Sequence, residues 1–272
     1  MYKAALKSGL YDFTSARDFY REATRSAGIG MHADLSRQYI KLQALLLCPV
    51  APHWSEYMWL DVLGEPSSIQ HALFPDVSAP SPALTAARDY VRSTTSNITS
   101  AEGQQVKKLA KGKTASFDPK KNKRLTIYLA RRFPAWQDKC VELMRQNMEG
   151  LVVDVKAVSQ KLDKSESKRA MPFVNTLKRR LEMGEDKEVV FERKLAFEEE
   201  DVLREMCMGL KQTVLRCTCV EVVAVEEGGK SGKVVAGAGE GFKVGEEKTG
   251  LPLSAEMAVP GQPGFFFENV EG

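Results

Sequence analysis

The feature that most restricts the fold of this sequence is a helical pattern of apolar residues that two prolines interrupt. The pattern repeats at i, i+4, i+7 and i+11, at Leu35, Tyr39, Leu42 and Leu46. Proline lacks a backbone N–H and clashes with the preceding helical turn, so Pro49 and Pro52 must end one helix before another begins. We therefore predict two consecutive helices, the second running to about Leu63.

An earlier segment has the same helical spacing, so residues 1–75 are predicted to form an antiparallel helical bundle. Its apolar face consists of Leu6, Leu10, Phe13 and Tyr20. Three helices do not close a bundle by themselves. We therefore expect this one to be incomplete at its N-terminal side.

The following residues predict a linker and then a small α+β domain, which gives a fold class of α+β that is mainly helical. Residues 76–124 are predicted to be a linker, a helix and a mobile basic loop. Residues 125–225 are predicted to begin and end with a strand and to hold several helices between them. Within this domain we expect a helix that begins near Pro172 and a short strand at 191–197.

The last segment, 226–272, is rich in glycine and charge, as in GGKSGK and GAGEG, which predicts a flexible tail. Its one apolar cluster, Phe265-Phe266-Phe267, is suited to a final strand. Gly229-Lys230-Ser231 has the end of a phosphate-binding loop but lacks the required earlier glycine, because position 224 is alanine. We therefore predict no nucleotide loop here.

Composition predicts a soluble, intracellular protein without a metal site. No apolar run approaches the roughly 20 residues that a membrane span needs. There are five cysteines, and only Cys217 and Cys219 are close, without a second Cys or His pair to complete a zinc site. The three histidines do not have metal-ligand spacing either. No constellation of nucleophile, acid and base is present, so we predict no catalytic residue.

Charge is the strongest functional signal from composition. The formal net charge is +3, yet residues 181–272 carry −9 and residues 1–180 carry +12. A polyanion binder needs several cations along a path, because release of condensed counterions drives the association. A solubilising surface explains the same charges equally well. The candidate RNA contacts are Lys107, Lys108, Lys111, Lys113, Lys120, Lys121, Lys123, Arg124, Arg131 and Arg132.

The motif that separates these alternatives is LLLCPVAPHWSEYMW, at residues 45–59. It resembles the L-x-P-x-x-P-H-x-x-E-x-x-W signature of the anticodon-binding helical domain in class I synthetases for leucine, isoleucine, valine and methionine. The physical roles are structural. The prolines break the helix, His53 and Glu56 can form hydrogen bonds at the junction, and Trp59 anchors the next helix in the core.

Other segments are similar to the C-terminal part of eukaryotic, fungal-type cytoplasmic leucyl-tRNA synthetases. They are MYKAALKSG at the start, TIYLA with PAWQ at 126–137, and MPFV at 171–174. The catalytic H-I-G-H-like and K-M-S-K-S-like motifs of that family are absent, and so is its editing domain. The resemblance implies a chain that binds leucine tRNA without charging it, since ATP and Mg²⁺ belong to the catalytic domain of the family.

The resemblance leaves three functions open. The first is a tRNA-binding module that positions leucine tRNA for the catalytic part of the synthetase, with no cofactor of its own and no membrane partner. The second is a protein-interaction module that docks to other synthetases or to a GTPase of nutrient sensing through its acidic half. The third is a fragment that has no activity of its own.

Overall fold

The structure is a computed structural model that describes residues 2–112, 116–150, 152–162, 164–226 and 228–270. Its chain divides into two units. The first unit is residues 1–80 and the second is residues 81–272. The chain is about 55% helical with one five-stranded mixed sheet. The predicted class, α+β and mainly helical, is confirmed.

The first unit is helical, as its apolar spacing predicted. Helix α1 (Tyr2–Leu6) continues through a π-helical segment at 7–12 into α2 (Phe13–Ser26). Helices α3 (Ala33–Leu47) and α4 (Pro52–Tyr57) follow, and α4 continues as a π-helical segment at 58–62. The core of this unit consists of Ala44, Leu45, Trp59, Leu63 and Ile69.

The proline motif shapes the connection between α3 and α4. Pro49 lies in the turn after α3, and Pro52 opens α4, where the missing N–H of proline is not needed. Trp59 is buried and its Nε1 donates to the carbonyl of Ser67 at 3.0 Å, so its predicted anchoring role is confirmed. Glu56 accepts a hydrogen bond from the backbone of Ile69 instead of from the junction.

His53 does not have the predicted role. Its side chain is exposed on the first turn of α4, and within the described residues it forms no hydrogen bond. The reason is its position in the first turn, where the side chain points away from the core that Trp59 fills. Glu56 therefore connects α4 to the following 3-10 turn at 69–71 without help from His53.

The second unit begins with a long helix and alternates between strands and helices. Its elements are α5 (Pro82–Ala110), β1 (Lys123–Ala130), α6 (Ala135–Gln146), β2 (Met148–Glu149), β3 (Val152–Val153), α7 (Val155–Lys161), α8 (Lys164–Glu182), α9 (Lys187–Glu192), α10 (Glu199–Thr213), β4 (Cys217–Val225), β5 (Ser231–Gly239), β6 (Glu247–Thr249), α11 (Leu253–Glu256) and β7 (Gly264–Asn269). Helix α5 thus belongs to the same unit as the sheet.

The sheet has the strand order β6-β5-β4-β1-β7, with β1 and β4 parallel and the other neighbours antiparallel. One face packs on α5 and α10 through Leu125, Ile127, Val220 and Val222. The opposite face carries Tyr128 and Val223, which α11 partly covers. Because both faces are covered, β1 and β4 are almost continuously buried.

Two predictions for the connection between β1 and β4 are wrong. The helix expected to begin near Pro172 begins at Lys164, so the proline lies inside α8. The strand expected at 191–197 is absent from the described chain; residues 187–192 form α9, whose Val190 and Phe191 pack into a separate helical core with α6 and α8. Tertiary packing overrides the β-branched character of this segment.

The flexible tail predicted for 226–272 is also wrong for the residues that the structure describes. They form β5, β6, α11 and β7, and the predicted final strand at the phenylalanine cluster is confirmed as β7. The glycines mark close approach: a Cβ on Gly237 would lie 2.8 Å from the ring of Phe242, and one on Gly239 would lie 2.1 Å from the carbonyl oxygen of Thr218. Glycine here permits tight packing of neighbouring strands.

Candidate nucleic-acid interface

Three exposed lysines surround the C-terminal end of α5. Lys107 and Lys108 lie in its last turn and Lys111 directly follows it. None of them pairs with a carboxylate of the described chain. Cations at a helix C-terminus are favoured by the helix dipole by about 0.3–1 kcal/mol each. These lysines therefore stabilise the end of α5, and their side chains are also exposed to solvent. Lys113, also a candidate, lies outside the described residues.

The segment after α5 was predicted to be a mobile loop, but residues 116–122 are held against β7. Phe117 is buried and its ring centroid lies 5.4 Å from that of Phe267. The Asn269 side chain accepts a hydrogen bond from the Asp118 backbone at 2.6 Å and donates to two carbonyls of this loop at 3.1 Å. Local sequence patterns could not predict this attachment, because Asn269 lies about 150 positions further along the chain. Lys120 and Lys121 are presented to solvent from a fixed loop.

Arg216, which was not among the predicted RNA contacts, joins these two lysines. It immediately precedes β4, and because β1 and β4 are parallel, Cys217 stands opposite Lys123. The Arg216 guanidinium donates to the carbonyl of Lys120, and the Lys123 amide donates to the Arg216 carbonyl at 3.0 Å. A parallel pairing of the two predicted strands would have placed Arg216 here, but the order of strands was not predictable.

Lys123 was a predicted RNA contact and is instead part of the core. Only 2% of its side chain is exposed, and its ammonium forms an ion pair with Glu102 of α5. The ammonium also lies 5.0 Å from the ring centroid of Phe117 and 5.7 Å from that of Phe267. The physical reason is that Lys123 is the first residue of β1, and both faces of this strand are covered. Its ion pair holds α5, eight residues before the end of the helix, next to the start of β1.

The side chain of Arg124, another predicted RNA contact, is also largely buried and pairs within the protein. Its side chain is 20% exposed, lies 3.4 Å from the Glu268 carboxylate, and donates to the Gly241 carbonyl at 2.9 Å. Burial alone would lower the pKa of Arg124, but attraction to the carboxylate of Glu221, with smaller contributions from Cys219 and Glu268, raises it overall. Arg124 is a permanently charged group that pairs within the sheet.

Arg131 and Arg132 lie at the other end of β1. The strand has eight residues, which at about 3.3 Å per residue separates its two ends by roughly 26 Å. Arg131 is exposed and pairs with Glu200 of α10 at 2.7 Å. Arg132 is exposed and also has a partner. The predicted continuous patch is therefore divided, and these two arginines are not next to the lysines.

The structure thus brings together a smaller set than the sequence suggested, which we call the basic end. It lies where α5 ends and where the parallel strands β1 and β4 begin, and the Lys123–Glu102 pair connects these elements. Every member is exposed. The basic end consists of Lys107, Lys108, Lys111, Lys120, Lys121 and Arg216.

A second basic group on α8 is mostly paired within the chain. Arg169 lies 5.0 Å from the ring centroid of Trp136. Lys178 pairs with Glu182, and Arg180 pairs with Glu185 at 2.6 Å. The Arg180 hydrogen bond holds the pKa of Glu185 below its usual value. These charges stabilise the end of α8 and are weaker candidates for a polyanion.

Other kinds of site are not apparent in the part of the chain that the structure describes. Among those residues no three His, Cys, Asp or Glu side chains are grouped as a metal site would require. No described helix is both long enough and apolar enough to span a bilayer. Burial raises the pKa of the Cys207 thiol to about 12, and burial likewise raises the pKa of Cys217 and Cys219, which disfavours the reactive thiolate form.

Comparisons with known proteins bear on the same residues. One family model, the anticodon-binding domain of tRNA ligase, matches residues 2–116. A second, described as leucine–tRNA ligase, RagD-binding domain, matches residues 129–190. The first match includes α5 and the three lysines at its end. The second begins at the end of β1 and covers the helices from α6 to most of α9.

Three fungal proteins are similar over nearly the whole chain. Cytoplasmic leucine–tRNA ligase of Neurospora crassa is 50% identical over 274 residues, covering 99% of this chain and 24% of that protein. The Saccharomyces cerevisiae protein of the same name is 42% identical, with the same coverage. A putative cytoplasmic leucine–tRNA ligase of Schizosaccharomyces pombe is 41% identical. The chain spans about a quarter of the length of these curated relatives.

Proposed function

This chain carries the anticodon-binding and RagD-binding domains of leucine–tRNA ligases and corresponds to the C-terminal part of their fungal cytoplasmic members, and from this we propose that it binds leucine tRNA. The family resemblance of the proline motif is thereby confirmed.

The observation that carries the proposal is the coincidence of the family match with the basic end. The anticodon-binding match ends at residue 116, and its last ten residues contain Lys107, Lys108 and Lys111. The remaining members of the basic end, Lys120, Lys121 and Arg216, are held on a loop and a strand start with fixed geometry. Six cations that pair with no carboxylate among the described residues suit a phosphate backbone, which binds by releasing counterions.

Binding at the basic end would position the tRNA without reacting with it. Contacts to phosphates fix the register and orientation of a nucleic acid and leave chemistry to other groups. We propose that the chain acts in the cytoplasm and delivers leucine tRNA to the catalytic part of the synthetase. Alone, it should form no leucyl-adenylate, and its tRNA binding should require neither ATP nor Mg²⁺ as a cofactor.

The test measures the affinity of the full chain for leucine tRNA by fluorescence anisotropy at 50 to 200 mM KCl. Six phosphate contacts predict that log K falls against log salt with a slope of about −4 to −5. Changing Lys107, Lys108 and Lys111 to glutamine should make the slope less negative by about 2 to 3. Glutamine is used because glutamate would also oppose the helix dipole of α5.

The control variant removes the same number of charges elsewhere. Lys187, Lys230 and Lys243 are exposed in the acidic half of the chain, and their change to glutamine should leave the slope as it is. Equal losses in both variants would mean that net charge alone attracts the tRNA. No loss in either would remove the basic end from the proposal, and failure of the wild-type chain to bind would remove the function.

A second function is supported by the match to the RagD-binding domain over 129–190. Three apolar side chains of this region are largely exposed: Val152, Met183 and Val189. Exposed apolar residues contribute to protein interfaces when a partner covers them. We propose a RagD-type GTPase as this partner. Binding of purified GTPase to the nuclease-treated chain, lost on changing Met183 and Val189 to serine and retained in the triple lysine variant, would support it. Binding that disappears with nuclease would assign the association to RNA.

A further inference from the structure

A cavity of about 350 Å³ lies on the sheet face opposite α5 and α10. It is bounded by β1, β4 and β7 and by the segment from Lys248 to Pro252, which leads from β6 to α11. Its size is at the lower end of the range for small-ligand pockets. Its polar lining consists of Thr126, Tyr128, Glu221, Lys248, Thr249 and Glu268.

Glu221 is the unusual group in this cavity, because it is a fully buried carboxylate in the central strand of the sheet. Its Oε1 accepts a hydrogen bond from Thr126 Oγ1 at 2.8 Å and forms an ion pair with Lys248. Its Oε2 is buried and accepts no hydrogen bond from the described residues. A buried acceptor without a donor costs about 1–3 kcal/mol, and more if charged. A strand needs no carboxylate at this position, so Oε2 indicates a donor-bearing ligand.

The donor beside it is Lys248, which reaches the cavity from the edge strand β6. An ammonium group has three N–H bonds, and the described contacts of Lys248 use one, to Glu221. Lys248 neutralises Glu221, and Arg124 neutralises Glu268. The cavity thus offers a free acceptor next to a free donor with little net charge. This arrangement suits a neutral group that has a donor and an acceptor side by side.

The apolar part of the lining consists of Phe266, which is half-buried on β7, and of Leu251 and Pro252. Burial raises the pKa of Tyr128, and the charges of Glu221 and Glu268 raise it further. Its hydroxyl therefore remains protonated and can donate. Lys248 and Glu268 are partly exposed, so the cavity opens to solvent on their side.

We propose that this cavity binds an unpaired nucleobase, with guanine preferred, and this rests on the proposed function in RNA binding. Proteins read single-stranded RNA by stacking splayed bases on aromatic rings and by bonding their Watson–Crick edges. Guanine presents two donors, N1–H and N2–H, beside the acceptor O6. Both lone-pair sites of Glu221 Oε2 are unused by the described residues, so N1–H and N2–H both donate to this oxygen, while O6 accepts from Lys248 and the ring stacks against Phe266. The other bases present at most one donor at this edge.

The test is a titration of the ¹⁵N-labelled full chain with guanosine, adenosine, cytidine and uridine, followed by backbone amide shifts. Guanosine should shift amides of 248–252 and of β7, and should bind at least about fivefold more tightly than the other three nucleosides, which one additional hydrogen bond at roughly 1 kcal/mol allows. Absence of shifts at these amides, or equal affinity for all four nucleosides, overturns the proposal.

The variants separate recognition from folding. Lys248→Met should abolish the preference for guanosine, and Phe266→Leu should weaken the binding of all four nucleosides. Lys243→Met, in the loop before β6, is the matched control and should bind guanosine like the wild type. Glu221→Gln should no longer bind guanosine. Amide shifts outside the cavity that match those of the wild type must show that this variant folds. Retention of guanosine preference in Lys248→Met overturns the assignment.

The outcome is distinguishable from failure of the proposed function. A chain that binds leucine tRNA through the basic end but shows no guanosine shifts would overturn this inference and leave the function in place. A chain that binds guanosine in this cavity but not leucine tRNA would retain the pocket and overturn the function.

Discussion

Four basic residues within five positions of the chain have opposite environments. Lys120 and Lys121 are exposed on the loop before β1, whereas Lys123 and Arg124 have only 2% and 20% of their side chains exposed. The boundary between the two pairs is the start of the strand. A run of positive charge in a sequence therefore does not define a positive surface, because burial of a strand can enclose its first charged residues with their own partners.

The largest expected effect is a loss of stability when the buried Lys123 is changed. Lys123→Met removes the ammonium that pairs with Glu102 and contacts two phenylalanine rings. We expect the free energy of unfolding to fall by about 3 kcal/mol, the low end for breaking a buried pair, because Glu102 keeps a fifth of its side chain exposed. Urea unfolding of the full chain measures this loss.

The matched control is Lys121→Met, which should change the free energy of unfolding by less than about 0.5 kcal/mol. Replacing both members of the pair, as Lys123→Met with Glu102→Leu, should recover part of the loss, because no charge then remains unpaired. Equal stability of Lys123→Met and Lys121→Met would contradict the different environments of these two lysines.

The next effect is on tRNA affinity, for the exposed members. Changing Lys120, Lys121 and Arg216 to glutamine should weaken leucine tRNA binding about tenfold at 100 mM salt and make the salt slope less negative by about 2 to 3. Arg124→Gln should leave the slope unchanged, because its guanidinium is held by Glu268 and Gly241. A larger slope change for Arg124→Gln than for Lys121→Gln would reverse our assignment.

Local pattern was enough to predict the helices of the first unit, the strands β1, β4 and β7, and the burial of Trp59. It failed where distant residues decide the structure. The loop at 116–122 is ordered by Asn269, and Lys123 is buried by Glu102 and Phe267, none of which local periodicity can associate with it. Arg216 joined the site only through the parallel register of β1 and β4.

The prediction of a flexible tail for the glycine-rich segment at 226–272 was wrong for a different reason. Glycine serves flexible chain and closely packed strands equally, and only the neighbours distinguish the two uses. Gly237 lies under the ring of Phe242, and Gly239 lies against the backbone of Thr218. Gly239 meets Thr218 because β5 pairs with β4, and the pattern of apolar residues did not specify this pairing.

Glu199 is a buried carboxyl group that forms no ion pair with the described residues. Glu199 of α10 accepts hydrogen bonds from the Tyr90 hydroxyl at 2.6 Å and the Gly261 amide at 2.9 Å. Burial nevertheless raises the pKa of Glu199 in the folded state. A raised folded pKa means that the contribution to stability is complete below the unfolded carboxyl pKa and is lost as pH rises through the folded value.

Glu199→Gln removes this titration while keeping the shape of the side chain. The difference in unfolding free energy between wild type and variant should therefore fall as pH rises from 4 to 7, in urea unfolding at fixed ionic strength. Glu205→Gln, on the same helix but exposed, is the control and should show a smaller dependence. A difference for Glu199 that grows with pH would contradict the direction of its pKa.

The smallest effects are expected at the far end of β1. Arg131 is exposed and its pair with Glu200 is a surface ion pair, worth about 0–1 kcal/mol. Glu200 also pairs with Arg204, so it keeps a partner when Arg131 is changed. With the lysines roughly 26 Å away along the strand, Arg131→Gln should alter tRNA affinity by less than about twofold. A loss as large as that from Lys121→Gln, measured by the same anisotropy titration, would show that the RNA extends along the full length of β1 and that both strand ends belong to one interface.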